Sequence, residues 1–66
     1  MRVVINGAAE TLEDGLTLAT LVGQLGLQQR RIAVEVNREI IARDRYPARL
    51  LRAGDEIEIV HFVGGG

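Results

Sequence analysis

Residues 1–5 form an apolar, β-branched run that stops at Asn6-Gly7. That dipeptide is the strongest short-range signal for a two-residue type I′ turn, because both positions tolerate φ > 0, and it predicts a strand returning through residues 8–12. Glu13-Asp14-Gly15 reads as a polar turn. Beyond it the period changes: Leu18, Leu21, Val22 and Leu25 stand at i, i+3, i+4 and i+7, the spacing of an amphipathic helix.

The ends of that helix are also written in the chain. Thr17 can cap the first turn, and Leu16 before it stands where a hydrophobic staple would pack on Leu21. Gly26 supplies a left-handed residue after the last turn, with Leu27 placed to fold back on Val22 in a Schellman-type close. Gly23 costs the helix about 1 kcal/mol relative to alanine, or marks close packing against a sheet.

From Ile32 to Val36 large apolar residues alternate with Ala33 and Glu35, as in a strand with one face in the core. Asn37-Arg38 makes a turn, and Glu39-Ile40-Ile41 a short returning strand. Residues 42–53 carry Arg43, Asp44, Arg45, Arg49, Arg52 and the single proline, Pro47, and read as a connection with a helical turn anchored by Leu50 and Leu51. After a turn at Gly54-Asp55, a last strand over residues 56–62 puts Ile57 and Ile59 on one face and Glu58, Val60 and Phe62 on the other. The order is β-β-α-β-β-β. One helix covers only one face of a sheet, so the class is two-layer α+β. The expected core is Val3, Ile5, Leu18, Leu21, Val22, Leu25, Ile32, Val34, Val36, Ile57 and Ile59; periodicity does not fix the strand order.

Composition narrows the chemistry. At 66 residues and 7.2 kDa the chain is one domain at most. A domain of this size buries only about 60% of the surface its unfolded form exposes, which argues against a deep, enclosed active site. With no cysteine there is no disulfide, thiolate metal site or thiol nucleophile, and one histidine makes no multi-histidine metal site. A net charge of −1 and only two aromatics, Tyr46 and Phe62, argue against nucleic acid as a partner. No apolar run approaches the ~20 residues that span a bilayer, and the first residues are too soon interrupted for a signal peptide, so no membrane partner and a cytoplasmic location are expected. All eight basic residues are arginine, so no side-chain amine is available for Schiff-base chemistry.

The acidic residues fall in turns or on solvent faces and read as solvated charge rather than a general acid/base pair. His61 has no neighbouring Ser or Cys to activate and reads as a strand residue at the sheet margin. Residues 28–53 hold seven arginines against Glu35, Glu39 and Asp44, a balance of +4 against −5 for the rest. That surplus reads first as a solvated arginine-rich loop, with orientation of docking as the alternative.

The ending is what structure leaves unexplained. Gly64-Gly65-Gly66 bring no side chain to pack and carry the largest ordering entropy, so they read either as simple fraying or a linker scar, or as a projecting mobile tail that ends in a free α-carboxylate. Glycine is what a thin peptide needs to enter a partner enzyme's channel with its carboxylate leading. Beside it, Val60 and Phe62 on the outward face of the last strand, with Val63, are the expected docking residues.

The β-β-α-β-β-β order, the strand start Gly54-Asp55-Glu56-Ile57-Glu58-Ile59-Val60 and above all the ending Val60-His61-Phe62-Val63-Gly64-Gly65-Gly66 resemble the ThiS sulfur carriers of bacterial thiamine biosynthesis. The similarity takes in the Asn6-Gly7 hairpin, the Asp14-Gly15 approach to the helix and Val34-Glu35-Val36-Asn37. Arg38 departs from it, since the family often has glycine after that asparagine. The resemblance implies a ubiquitin-like β-grasp: a mixed sheet of four to five strands on one helix, with a domain over residues 1–63, a flexible tail over 64–66, and the first and last strands adjacent and parallel in mid-sheet. It also implies that Gly66 is the working residue. Its carboxylate would be adenylated by an E1-like adenylyltransferase of the ThiF type, converted to a thiocarboxylate with sulfur from a donor protein, and used by thiazole synthase of the ThiG type. The carrier would be no enzyme and bind no cofactor, the ATP being used by the activating partner. Rival readings are a MoaD-type carrier for molybdopterin synthesis, an inert ubiquitin-like interaction module, and a tag conjugated through Gly66.

Overall fold

The computed structural model describes residues 1–62. Its elements are β1 (Arg2–Ile5), β2 (Ala8–Thr11), α1 (Leu18–Gln24), β3 (Ile32–Val36), β4 (Glu39–Ile41), a 3-10 helix (Arg43–Ala48) and β5 (Glu56–His61). One five-stranded sheet has the order β2-β1-β5-β3-β4. The last strand thus lies in the middle, parallel to β1 and antiparallel to β3. The expected adjacency of the first and last strands is found.

Both hairpins turn through left-handed residues, Asn6 (φ 50°) with Gly7 (φ 82°) and Asn37 (φ 53°) with Arg38 (φ 69°). Asparagine tolerates that region; arginine pays a steric cost there.

Thr17 caps α1, its hydroxyl accepting from the Thr20 amide at 3.2 Å. At the other end the Gly26 amide donates to the Gly23 carbonyl at 3.0 Å and the Leu27 amide to the Val22 carbonyl at 2.9 Å. These two bonds are the Schellman motif that Gly26 and Leu27 predict. The helix therefore stops before Leu25, which turns outward and is 46% exposed instead of joining the core. Gly23 is exposed, and a methyl group there would meet nothing within 4 Å, so it does not mark close packing on the sheet.

The core lies between α1 and one sheet face: Val3, Leu18, Leu21, Val22, Ile32, Val34, Val36, Ile57 and Ile59, as the alternation predicts. Leu16, Tyr46 and Leu51 join it, while Ile5 only packs at its edge. Of the two leucines expected to anchor the 42–53 connection, only Leu51 is buried; Leu50 is half exposed. The stronger anchor is Tyr46, which the 3-10 helix turns inward.

Candidate functional site

β5 is braced along its whole length. The Val4 amide donates to the Asp55 carbonyl and the Asn6 amide to the Ile57 carbonyl, both at 2.9 Å. In a parallel ladder the Asn6 carbonyl would next accept from Ile59, but the left-handed turn has rotated it away. The Asn6 side chain takes its place, Oδ1 accepting from the Ile59 amide at 2.7 Å.

Asn37 makes the same substitution from the other side. Its amide donates to the Glu56 carbonyl at 2.7 Å, and its Oδ1 accepts from the Glu56 amide at 2.9 Å. Its Nδ2 donates to Asp55 Oδ1 at 2.9 Å, and the Arg52 amide donates to Asp55 Oδ2 at 2.8 Å. Arg49 stands 3.7 Å from that same oxygen. Asp55 is thus a buried, fully partnered carboxylate, contrary to the expectation that every acidic residue is solvated. Its partners explain its burial, and its role is to hold the start of β5.

At the far end of β5 the Phe62 amide donates to the Arg31 carbonyl at 3.0 Å. Phe62 (58% exposed) and Val60 (53% exposed) project on the side away from the helix, with Ala33 opposite Val60. This small apolar step is where the sequence expects docking. Further back on the same face Glu58 stands opposite Glu35, which stands opposite the exposed Ile40. His61 is exposed at the strand's end, opposite Ile32. Val63, Gly64, Gly65 and Gly66 lie outside the described residues.

The other surface features are shallow. A hollow of about 420 Å³ beside Phe62 is bordered by Gln29, Arg30, Arg31, Ile32 and Arg43. A second, of about 520 Å³, runs between β4 and the 3-10 helix, with Arg45 and Arg49 on its walls. Among the described residues no group of three or more His, Asp or Glu side chains is placed to hold a metal, and no helix is long and apolar enough to cross a membrane. Sequence reading missed the bracing roles of Asn6 and Asn37, although two asparagines at hairpin turns were their signal.

The family model described as "ThiS family" matches residues 3–66. The chain belongs to the ThiS family. Among relatives, the sulfur carrier protein ThiS of Bacillus subtilis is 44% identical over 54 residues, 82% of each protein. The thiazole synthase of Paramagnetospirillum magneticum is 41% identical over all 66 residues of this ThiS-family chain. The chain spans about a fifth (20%) of that synthase's length. The crystal structure of the thiamine biosynthesis protein (ThiS) from Geobacter metallireducens superposes with a TM-score of 0.86 at 30% identity, covering 100% of both chains. The fold is accordingly the ubiquitin-like β-grasp.

Proposed function

We propose that this ThiS-family chain is a sulfur carrier of thiamine biosynthesis, with residues 1–63 as a folded handle and Gly64, Gly65 and Gly66 as the ending it delivers. The observation that carries this reading is the family match, which runs through the glycine ending to residue 66. The position of β5 supports it, since the strand that leads to that ending lies in mid-sheet with partners on both sides.

The chemistry needs a free carboxylate at Gly66. A carboxylate is a poor electrophile. Attack of its oxygen on the α-phosphorus of ATP, in an E1-like ThiF-type adenylyltransferase, forms the acyl-adenylate and releases pyrophosphate. A sulfide-level nucleophile from a sulfur donor then adds at the carbonyl and expels AMP, leaving a C–S bond where a C–O bond stood. The thiocarboxylate passes its sulfur to a ThiG-type thiazole synthase. The carrier supplies no base, metal or pocket to these steps; Val60, Phe62 and Val63 serve docking, and catalysis belongs to the partners.

Incubation with ATP, the adenylating enzyme of the same organism and a sulfide source should exchange one oxygen for sulfur at Gly66, read by intact-mass spectrometry. An unchanged mass would favour an inert interaction module, and an amide link to another protein's lysine would favour a tag. Acceptance of the thiocarboxylate by molybdopterin synthase instead of thiazole synthase would move the chain to the other carrier pathway.

A further inference from the structure

We propose that Arg30, Arg31 and Arg43 form a basic collar around Phe62 that docks onto carboxylates rimming the uptake channel of the adenylating enzyme. The inference rests on the sulfur-carrier reading and adds to it the chemistry of the partner's surface.

The three side chains border one hollow with Phe62. The Arg31 carbonyl accepts the Phe62 amide, which sets Arg31 beside the ring, and the Arg43 guanidinium donates to the carbonyls of Gln28 at 2.9 Å and Arg30 at 2.6 Å, which ties Arg43 to the same segment. Arg43 also lies 5.8 Å from the Tyr46 ring centroid. Its partners are neutral oxygens and a π-face, so its positive charge is held in place without being cancelled. Among the described residues, no carboxylate lies within ion-pair distance of Arg30, Arg31 or Arg43; the ion pairs formed involve Asp14 and Asp55.

An uncompensated cluster of like charge is unfavourable in the free chain and becomes favourable when carboxylates are brought to it. The sign reverses along the same face, where Glu58 opposes Glu35 two residues back from Val60. A partner with acidic groups over the collar and a basic one over the glutamates would meet this face in one orientation only.

Carboxylates fit the collar better than phosphates. An exposed aromatic ring stands at its edge, as in a protein interface with an apolar centre and a charged rim. The nucleotide reacts at Gly66, four residues further along the chain. Guanidinium pairs bidentately with carboxylate and phosphate alike, so the choice between them rests on the ring and on the distance to Gly66 along the chain.

The test measures Kd for the adenylating enzyme of the same organism, by calorimetry across a series of NaCl concentrations, using wild type, Arg30→Glu/Arg31→Glu, and Arg38→Glu/Arg52→Glu. The last pair belongs to the opposite end of β5 and carries the same charge change. Collar reversal should weaken binding about tenfold at low salt and flatten the salt dependence, with the control pair close to wild type. Circular dichroism and melting should show both variants folded. Equal affinity for wild type and the collar variant overturns the collar, as does an equal loss in the control pair. If wild type acquires sulfur while collar reversal changes nothing, only the collar fails. If wild type neither binds nor is adenylated, the carrier reading fails with it. Binding of ATP to the isolated chain that is lost on collar reversal would overturn the carboxylate assignment in favour of phosphate.

Discussion

Asn6 and Ile59, 53 positions apart in the chain, are joined by a 2.7 Å hydrogen bond in which a side-chain amide oxygen stands in for a backbone carbonyl. It lets β1 leave the sheet through a tight turn while its neighbour β5 keeps a full set of bonds. Replacing Asn6 by alanine leaves the Ile59 amide without its acceptor and puts at φ 50° a residue that tolerates the left-handed region less well than asparagine. A loss of roughly 2–3 kcal/mol in urea unfolding is expected from the two effects. Asn6→Gly removes the second effect and should fall between. If Asn6→Gly is as stable as wild type, the hydrogen bond contributes nothing.

Arg38 sits at φ 69°, exposed, with no side-chain hydrogen bond among the described residues. Glycine reaches that region without a Cβ clash, at some cost in unfolded-chain entropy. Arg38→Gly should therefore stabilise the chain by about 0.5–1 kcal/mol, a rise of a few degrees in melting temperature. A lower melting temperature would mean that the side chain supports the turn.

Gly23 lies inside α1 with open space where a methyl group would go. Gly23→Ala should add about 1 kcal/mol through helix propensity alone. Calorimetric melting decides; destabilisation would show that the backbone at this position needs glycine's freedom.

Phe62 is 58% exposed and outside the core cluster, so its removal should touch folding little. Phe62→Ala should weaken binding to the adenylating enzyme by about 1–2 kcal/mol, the value of burying the part of the ring that is exposed in the free chain. Equal calorimetric affinities for the two proteins would remove Phe62 from the docking surface.

Deleting Gly65 and Gly66 should abolish sulfur acquisition in the intact-mass assay and leave the melting temperature within about 1 °C, because glycine brings no side chain to a core. A truncated chain that unfolds would make the ending structural.

The elements legible in the chain are those that local chemistry specifies. Asn6-Gly7 announces its turn, Thr17, Gly26 and Leu27 mark the ends of α1, and the alternation from Ile32 to Val36 sorts the faces of β3. What escaped depends on how a turn cuts or redirects a periodic pattern, or on distant partners. Leu25 matches the helical period, yet the Schellman turn at Gly26 ends the helix before its side chain reaches the core. Tyr46 lies in an arginine-rich stretch around Pro47 whose period matches neither helix nor strand, and only the 3-10 turn brings it inward. Asp55 reads as one more turn acid until Asn37, eighteen positions earlier, is seen to meet it. The exposed apolar pair Val60 and Phe62 was legible because it breaks the rule that an outward strand face is polar. The arginines beside them were not, since Arg30 and Arg31 come next to Phe62 only through β3–β5 pairing.

The central place of β5 also has a mechanical meaning. A force applied at Phe62 along the strand axis loads the ladders to β1 and β3 in shear, so their bonds, together with those to Asn6 and Asn37, must yield at once. A strand in an edge hairpin would instead unzip one bond at a time. On the sulfur-carrier reading, an enzyme taking hold of the segment beyond Phe62 would therefore pull on β5 without unravelling the domain behind it.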